Sequence, residues 1–207
     1  MLEGWKSLVR GRVHAHLQAE TNVQLLAKSS LETFRQLGSQ PLQPWKLDRA
    51  SRHPGALLRL RLRSGGAPLM MAVGGRSRIP REERSCRICG GPDLETAEHF
   101  LCQCPEYTRE REECVRRLRI AVAAYTTPQL SQALDSVAVE LFLGDSLVRH
   151  LPADSAWRAD AIVCDFLMLA WRKRSAVWKT MTVGGWFVFD CTAGLACDSN
   201  VADPAGL

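Results

Sequence analysis

The chain lacks a long apolar run, an apolar stretch behind its first basic residues, and internal repeats. Every window of eighteen residues contains charge or polar residues, which argues against a transmembrane helix. The N-terminal stretch MLEGWKSLVRGR has no apolar core of the kind that a secretory signal needs. These absences predict an intracellular protein, in the nucleus or the cytoplasm, that does not act on a membrane.

The composition is that of a folded protein. Of 207 residues, 46% are hydrophobic and 24% are charged. A disordered chain would carry far less apolar material. This length allows one or two domains with a real core.

The positive charge is concentrated in one segment. Residues 49–84 contain nine arginines and two glutamates, a net charge of +7, whereas the rest of the chain carries 18 basic and 20 acidic residues, a net charge of −2. Arginine suits bidentate contact with phosphates and stacking on bases, so the segment predicts a nucleic-acid partner, RNA or DNA. The alternative is a solvated strand face that binds nothing. The candidate nucleic-acid-binding residues are Arg59, Arg61, Arg63, Arg76, Arg78, Arg81 and Arg84.

Cysteine is clustered as well. Five of the eight cysteines lie between Cys86 and Cys114. Because the chain shows no secretory signal, such a cluster favours metal binding over disulfides.

Four residues of this cluster have the spacing of metal ligands. Cys86-x2-Cys89 is followed, after nine residues, by His99-x4-Cys104. Three thiolates and one imidazole complete a tetrahedral Zn²⁺ site without an open position. Cys102 is an alternative fourth ligand, and Cys114 is expected to be a core residue of a helix.

Local residues around the ligands support this prediction. Gly90 and Gly91 would let the backbone bend and donate N–H groups to the sulfurs, and Thr96 can cap a short helix that carries His99. Pro105 would then open the next helix.

The predicted fold is mostly α with a small β-hairpin and a zinc-knuckle (CCHC) module flanked by helices. Residues 56–63 alternate leucine and arginine, so 56–73 would form a hairpin whose arginines face outward, although a helix is the alternative. The predicted units are an N-terminal helical segment (1–48), an arginine-rich connector (49–84), the zinc module with its helix (85–125), a helical segment (126–180), and a short strand with a frayed tail (181–207).

Helical spacing predicts which residues face the core. In the helix after Pro105 these are Tyr107, Cys114, Leu118, Val122 and Tyr125. In the helix over 156–179 they are Trp157, Ile162, Phe166, Leu169 and Trp171.

The segment RIPREERSCRICGG…ETAEHFLCQCPEYTRER resembles the zinc-binding segment near the C-terminus of non-LTR (LINE-like) retrotransposon reverse transcriptases. That family shows a basic R-I-P-R-E-x-R lead-in, then C-x2-C, then E-x-x-E-H-x-L-x-x-C-P. The matching positions here are Arg78 to Arg84, Cys86, Cys89, Glu95, Glu98, His99, Leu101, Cys104 and Pro105. The close match covers about 50 residues, and Cys102 stands where the family often has an aliphatic residue.

The resemblance implies a zinc-stabilised nucleic-acid-binding module from a mobile-element polyprotein. Reverse transcription needs paired aspartates that hold two metal ions, and no Asp-Asp pair occurs in the chain. We therefore expect a fragment or degenerate copy that is not an enzyme. Two alternatives stay open. One is a zinc-stapled interaction module that docks on the polymerase domain of the parent polyprotein or on another partner, and the other is a nuclease built on Asp160 or Asp165 with His150.

Overall fold

A computed structural model describes residues 32–37, 46, 49, 52–125, 127–145 and 147–181, with nine further residues between 9 and 23. The helices in this part of the chain are α1 (Glu32–Gln36), α2 (Pro54–Arg63), α3 (Met70–Arg76), α4 (Thr108–Val122), α5 (Pro128–Ser136), α6 (Val139–Leu143) and α7 (Ala153–Met181). Short 3₁₀ turns lie at Arg81–Glu83, Pro105–Tyr107, Ala123–Tyr125 and Val148–His150, and a π-turn lies at His99–Gln103.

The described residues form an all-α protein. They contain no strand beyond one isolated bridge between Ser85 and Leu94. None of their helices combines the length and the apolarity that a membrane crossing requires. The predicted strand in 181–207 lies outside the described residues, as does most of the predicted unit 1–48, of which the described residues before 23 are helical.

The predicted hairpin over 56–73 is wrong, because both of its arms are helices. Pro54 opens α2 as its first residue, and His53 caps it by accepting a hydrogen bond from the Gly55 N–H at 3.2 Å. Leu58 and Leu62 are four residues apart and are both buried. The leucines of 56–63 therefore follow the spacing of a helix, although the alternation of leucine and arginine had suggested a strand.

Helices α2 and α4 pack against the long helix α7, which forms the spine of the core. On α4 the buried residues are Cys114, Val115, Leu118 and Val122. On α7 Ile162, Phe166 and Trp171 are buried as predicted, whereas Trp157 and Leu169 are exposed, which corrects the prediction for those two residues. Tyr125 is also exposed, because α4 ends at Val122, before it.

A buried cluster of charges joins α2 to α7. The Asp160 carboxylate on α7 accepts a hydrogen bond from Arg59 of α2 and lies 3.2 Å from the Arg49 guanidinium. Lys46 pairs with Asp145 at 2.5 Å and lies 3.9 Å from Asp160. Asp160 is therefore a core residue of α7. A buried carboxylate of this kind is stable only because cations surround it.

The contact between α2 and α7 depends on the absence of a side chain at Gly55. A Cβ atom at this position would lie 2.5 Å from the backbone carbonyl oxygen of Cys164. A backbone atom cannot rotate aside, so the two helices would have to separate.

We therefore expect Gly55→Ala to lower the free energy of unfolding by about 1–3 kcal/mol, measured by urea denaturation of the metal-replete protein. Gly75→Ala is the control, since the nearest atom to its Cβ is a side-chain nitrogen of Arg84 at 3.4 Å and not a backbone atom. Equal stability of the Gly55→Ala variant and the wild type would contradict this close helix crossing.

Candidate metal centre

The first two candidate ligands lie on a loop that is closed at its base by backbone hydrogen bonds. The Cys86 N–H donates to the Asp93 carbonyl at 2.8 Å, and the Glu95 N–H donates to the Arg84 carbonyl at 3.0 Å. Inside the loop the Gly90 N–H donates to the Cys86 carbonyl at 3.1 Å. Gly90 has φ of 67°, a left-handed conformation that glycine adopts without steric cost. The loop thus turns back tightly enough to place Cys86 and Cys89 side by side.

The other two candidate ligands are placed by a capped π-turn. The Thr96 hydroxyl accepts a hydrogen bond from the His99 N–H at 3.0 Å, as its predicted capping role requires. The Cys104 N–H donates to the His99 carbonyl, five residues back, at 2.7 Å. In an α-helix, residues five apart point about 140° away from each other. The wider π-turn rotates His99 and Cys104 toward a common side, and Pro105 holds Cys104 in an extended conformation.

The four side chains converge on one point. The ligand atoms of Cys86, Cys89, His99 and Cys104 all lie within 4.8 Å of one another. The Cys89 sulfur is 3.5 Å from His99 Nε2. Ligand atoms around one tetrahedral zinc lie roughly 3.3–3.8 Å apart, given metal–ligand bonds of about 2.0–2.3 Å. The cluster is therefore close enough to hold a metal ion.

The chemistry of the donors fits a closed site. Cys86, His99 and Cys104 are buried, and Cys89 is half-buried. Three sulfurs and an imidazole nitrogen are the donor set of structural zinc sites. With Nε2 facing the sulfurs, His99 Nδ1 is left buried and without a hydrogen-bond partner among the described residues. The carboxylate of Asp93 lies 3.9 Å from Nδ1, which is too far for a hydrogen bond.

Hydrogen bonds favour the thiolate at Cys86. The neighbouring Cys104 thiol, assisted by the backbone N–H groups of Cys89 and Ile88, lowers the pKa of Cys86 against the opposing effect of burial. The same contact, with burial, raises the pKa of Cys104. The amides that stabilise sulfur at Cys86 are thus those of Ile88 and Cys89, whereas the Gly90 amide, expected to do so, binds the Cys86 carbonyl.

Two further cysteines lie outside the cluster. Cys102 is half-buried, and burial raises its pKa to about 11. The structure therefore brings Cys104, and not Cys102, to the other three ligands. Cys114 is a core residue, as predicted, and its thiol points to the Ile162 carbonyl at 3.9 Å.

A buried ion pair connects the metal loop to α7. Arg174 donates to both carboxylate oxygens of Glu95, at 2.7 and 3.0 Å. Glu95 also accepts from the Met70 N–H at 2.6 Å, which caps α3 from 25 residues away. Arg174 stacks between the rings of Trp171 and Trp178, at 5.0 and 4.9 Å from their centroids. Arg174 was missed by sequence reasoning, and Glu95 was noted only as part of the family motif.

The candidate nucleic-acid-binding arginines divide into two groups. Arg59 and Arg63 are buried, where Arg59 pairs with Asp160 and Arg63 donates to the Leu143 carbonyl at 3.0 Å. The prediction that the arginines of 56–73 face outward is therefore wrong for Arg59 and Arg63, whereas Arg61 is exposed. Arg84 is half-buried and donates twice to the Ile79 carbonyl, at 2.8 and 2.6 Å. The exposed members are Arg61, Arg76, Arg78 and Arg81.

The acidic residues considered for a nuclease do not meet at one site. Asp160 is buried among Arg59, Arg49 and Lys46, while Asp165 pairs with Arg117 at 3.0 Å. His150 is exposed, and within the described part of the chain no hydrogen bond or ion pair joins it to either carboxylate.

Comparison of the chain with protein-family models, with curated proteins and with solved structures found no significant match. The resemblance to the zinc-binding segment of retrotransposon reverse transcriptases therefore depends on the motif residues alone.

The geometry predicts opposite outcomes for two cysteines only two residues apart. Cys104→Ser removes a ligand atom, so we expect loss of the bound metal and a large fall in melting temperature. Cys102→Ser is the matched control and should retain one metal ion per chain with an unchanged melting temperature. Metal content by elemental analysis, together with thermal unfolding, measures both. Retention of metal by Cys104→Ser with loss from Cys102→Ser would contradict the assignment.

Proposed function

We propose that this chain is a zinc-stabilised nucleic-acid-binding module, of the kind that the C-terminal region of a non-LTR retrotransposon reverse transcriptase contributes to its polyprotein. The observation that carries the proposal is that a run of exposed arginines leads directly into the metal-binding loop. Exposed arginines at Arg76, Arg78 and Arg81 lie on the segment that leads into the loop of Cys86 and Cys89. Exposed basic side chains next to a folded metal loop suit contact with a phosphate backbone.

In this proposal the zinc ion is structural. Four protein ligands fill a tetrahedral coordination shell, so no position is left on which water could be activated. Binding of the ion joins the loop of Cys86 to the π-turn of His99. Since metal binding supplies folding free energy to such sites, the module would depend on zinc for its stability.

The exposed arginines are the proposed contacts with nucleic acid. Guanidinium groups bind phosphate oxygens through paired hydrogen bonds. Contacts of this kind carry little sequence information and release counterions from the nucleic acid, so binding should be largely independent of sequence and steeply dependent on salt. Arg59 and Arg63 have no part in this role, because their guanidinium groups are engaged in the core.

The alternative function, an interaction module that docks on a polymerase, requires exposed apolar residues. Ile120 on α4 and Leu169 on α7 are large exposed apolar residues. Under this alternative, substitution of these two residues by polar ones would abolish association with a polymerase fragment and leave nucleic-acid binding unchanged.

Binding of a labelled duplex DNA and of a labelled single-stranded RNA, titrated between about 50 and 200 mM salt, tests the proposal. We expect Arg76→Gln with Arg81→Gln to weaken binding and to reduce the slope of log K against log salt by about 2 for duplex DNA, near 0.9 for each lost phosphate contact.

Arg116→Gln with Arg119→Gln is the control, because it removes the same charge from exposed arginines of α4, outside the segment that leads into the metal loop. Equal losses from the two double variants would show that net charge alone drives binding. No binding by the zinc-loaded wild type at low salt would contradict the proposed function.

A further inference from the structure

The turn that ends α3 contains an arginine where the backbone favours glycine. Arg78 has φ of 57°, in the left-handed region. The Ile79 N–H donates to the Gly74 carbonyl at 2.8 Å, and the Arg78 N–H donates to the Gly75 carbonyl at 3.4 Å. This pair of bonds is the Schellman closure of a helix, in which the residue at the position of Arg78 is most often glycine. A side chain there brings Cβ close to the backbone.

Packing does not account for the side chain at this position. Val137 is the other non-glycine residue with positive φ in the described part of the chain, and it is half-buried and packs against the core. Arg78 is exposed, and its guanidinium makes no hydrogen bond or ion pair with any residue that the structure describes. The backbone at Arg78 is therefore strained, although its side chain makes no hydrogen bond or ion pair with the described residues.

The side chain of Arg84 holds this turn in place. The Arg84 side chain lies across α3, where a Cβ atom on Gly74 would approach its Cγ to 2.8 Å. The same guanidinium binds the Ile79 carbonyl, the residue after Arg78, and the Met71 carbonyl at 3.4 Å. Arg84 thus fixes the turn while Arg78 projects from it, between the exposed Arg76 and Arg81.

We propose that Arg78 is a phosphate-contacting residue of the nucleic-acid surface, held in a left-handed turn that aims its guanidinium outward at the expense of fold stability. This inference rests on the proposed function, in which Arg78 is one of the exposed arginines, and adds that stability and binding oppose each other at this residue. The ligand chemistry is the phosphodiester backbone. Residues kept in strained conformations without a packing role are often functional ones.

A purely structural role for Arg78 makes the opposite prediction about stability. A cation near the C-terminus of a helix can stabilise the helix dipole. If this were the role of Arg78, its replacement by glycine would remove a favourable interaction.

The test compares Arg78→Gly and Arg78→Lys in the zinc-loaded full chain, with duplex DNA and single-stranded RNA as probes. We expect Arg78→Gly to raise the melting temperature by about 2–4 °C, because the left-handed strain is relieved. The same variant should bind about tenfold more weakly at low salt and lose about 0.9 from the salt slope on duplex DNA. Arg78→Lys keeps both the charge and the strain, so its melting temperature and salt slope should match those of the wild type.

Arg158→Gln, an exposed arginine of α7, is the charge control and should leave the salt slope unchanged. Wild-type binding that Arg78→Gly does not weaken would overturn the inference and leave the proposed function standing. A fall in melting temperature for Arg78→Gly would overturn it as well, in favour of the helix-dipole role. Absence of binding by the wild type would overturn the proposed function and this inference together.

Discussion

The convergence of three sulfurs and one imidazole nitrogen on a single point is the constraint on which the rest of this structure depends. It joins the loop of Cys86 and Cys89 to the π-turn of His99 and Cys104, two segments with little regular secondary structure of their own. Glu95, which follows the loop, extends the same unit in two directions by capping α3 and by pairing with Arg174 of α7. The metal centre is thus tied to the helix that forms the spine of the core.

Burial of arginines in the core reduces the number of basic side chains in 49–84 that a partner could contact. Within this segment, Arg59 pairs with the Asp160 carboxylate inside the core, and the buried Arg63 donates to the Leu143 carbonyl. Removal of one member of such a pair leaves an uncompensated buried charge and typically costs about 3–5 kcal/mol. The segment's net charge of +7 therefore overstates its basic surface, which consists of the arginines that remain exposed.

The ligand set was predictable from sequence because its spacing is local, with two residues between Cys86 and Cys89 and four between His99 and Cys104. The motif favoured Cys104 and left Cys102 as an alternative, whereas the π-turn that brings Cys104 to the other ligands was not predicted from the sequence. The hairpin prediction failed because the partner that makes Arg59 a core residue, Asp160, lies 101 residues away. Capping of α3 by Glu95 could not be predicted from the sequence either, since Glu95 lies 25 residues after the start of the helix. The exposure of Trp157 and Leu169 could not be read from a helix as long as α7, because its apolar residues extend around much of its circumference.

The measurement that tests the metal centre most directly is X-ray absorption at the zinc edge of the purified, metal-replete chain. The structure predicts three sulfur ligands at about 2.3 Å and one nitrogen ligand at about 2.0 Å, without a coordinated water. A first shell made of oxygen and nitrogen, or one of four sulfurs, would contradict the assignment of Cys86, Cys89, His99 and Cys104.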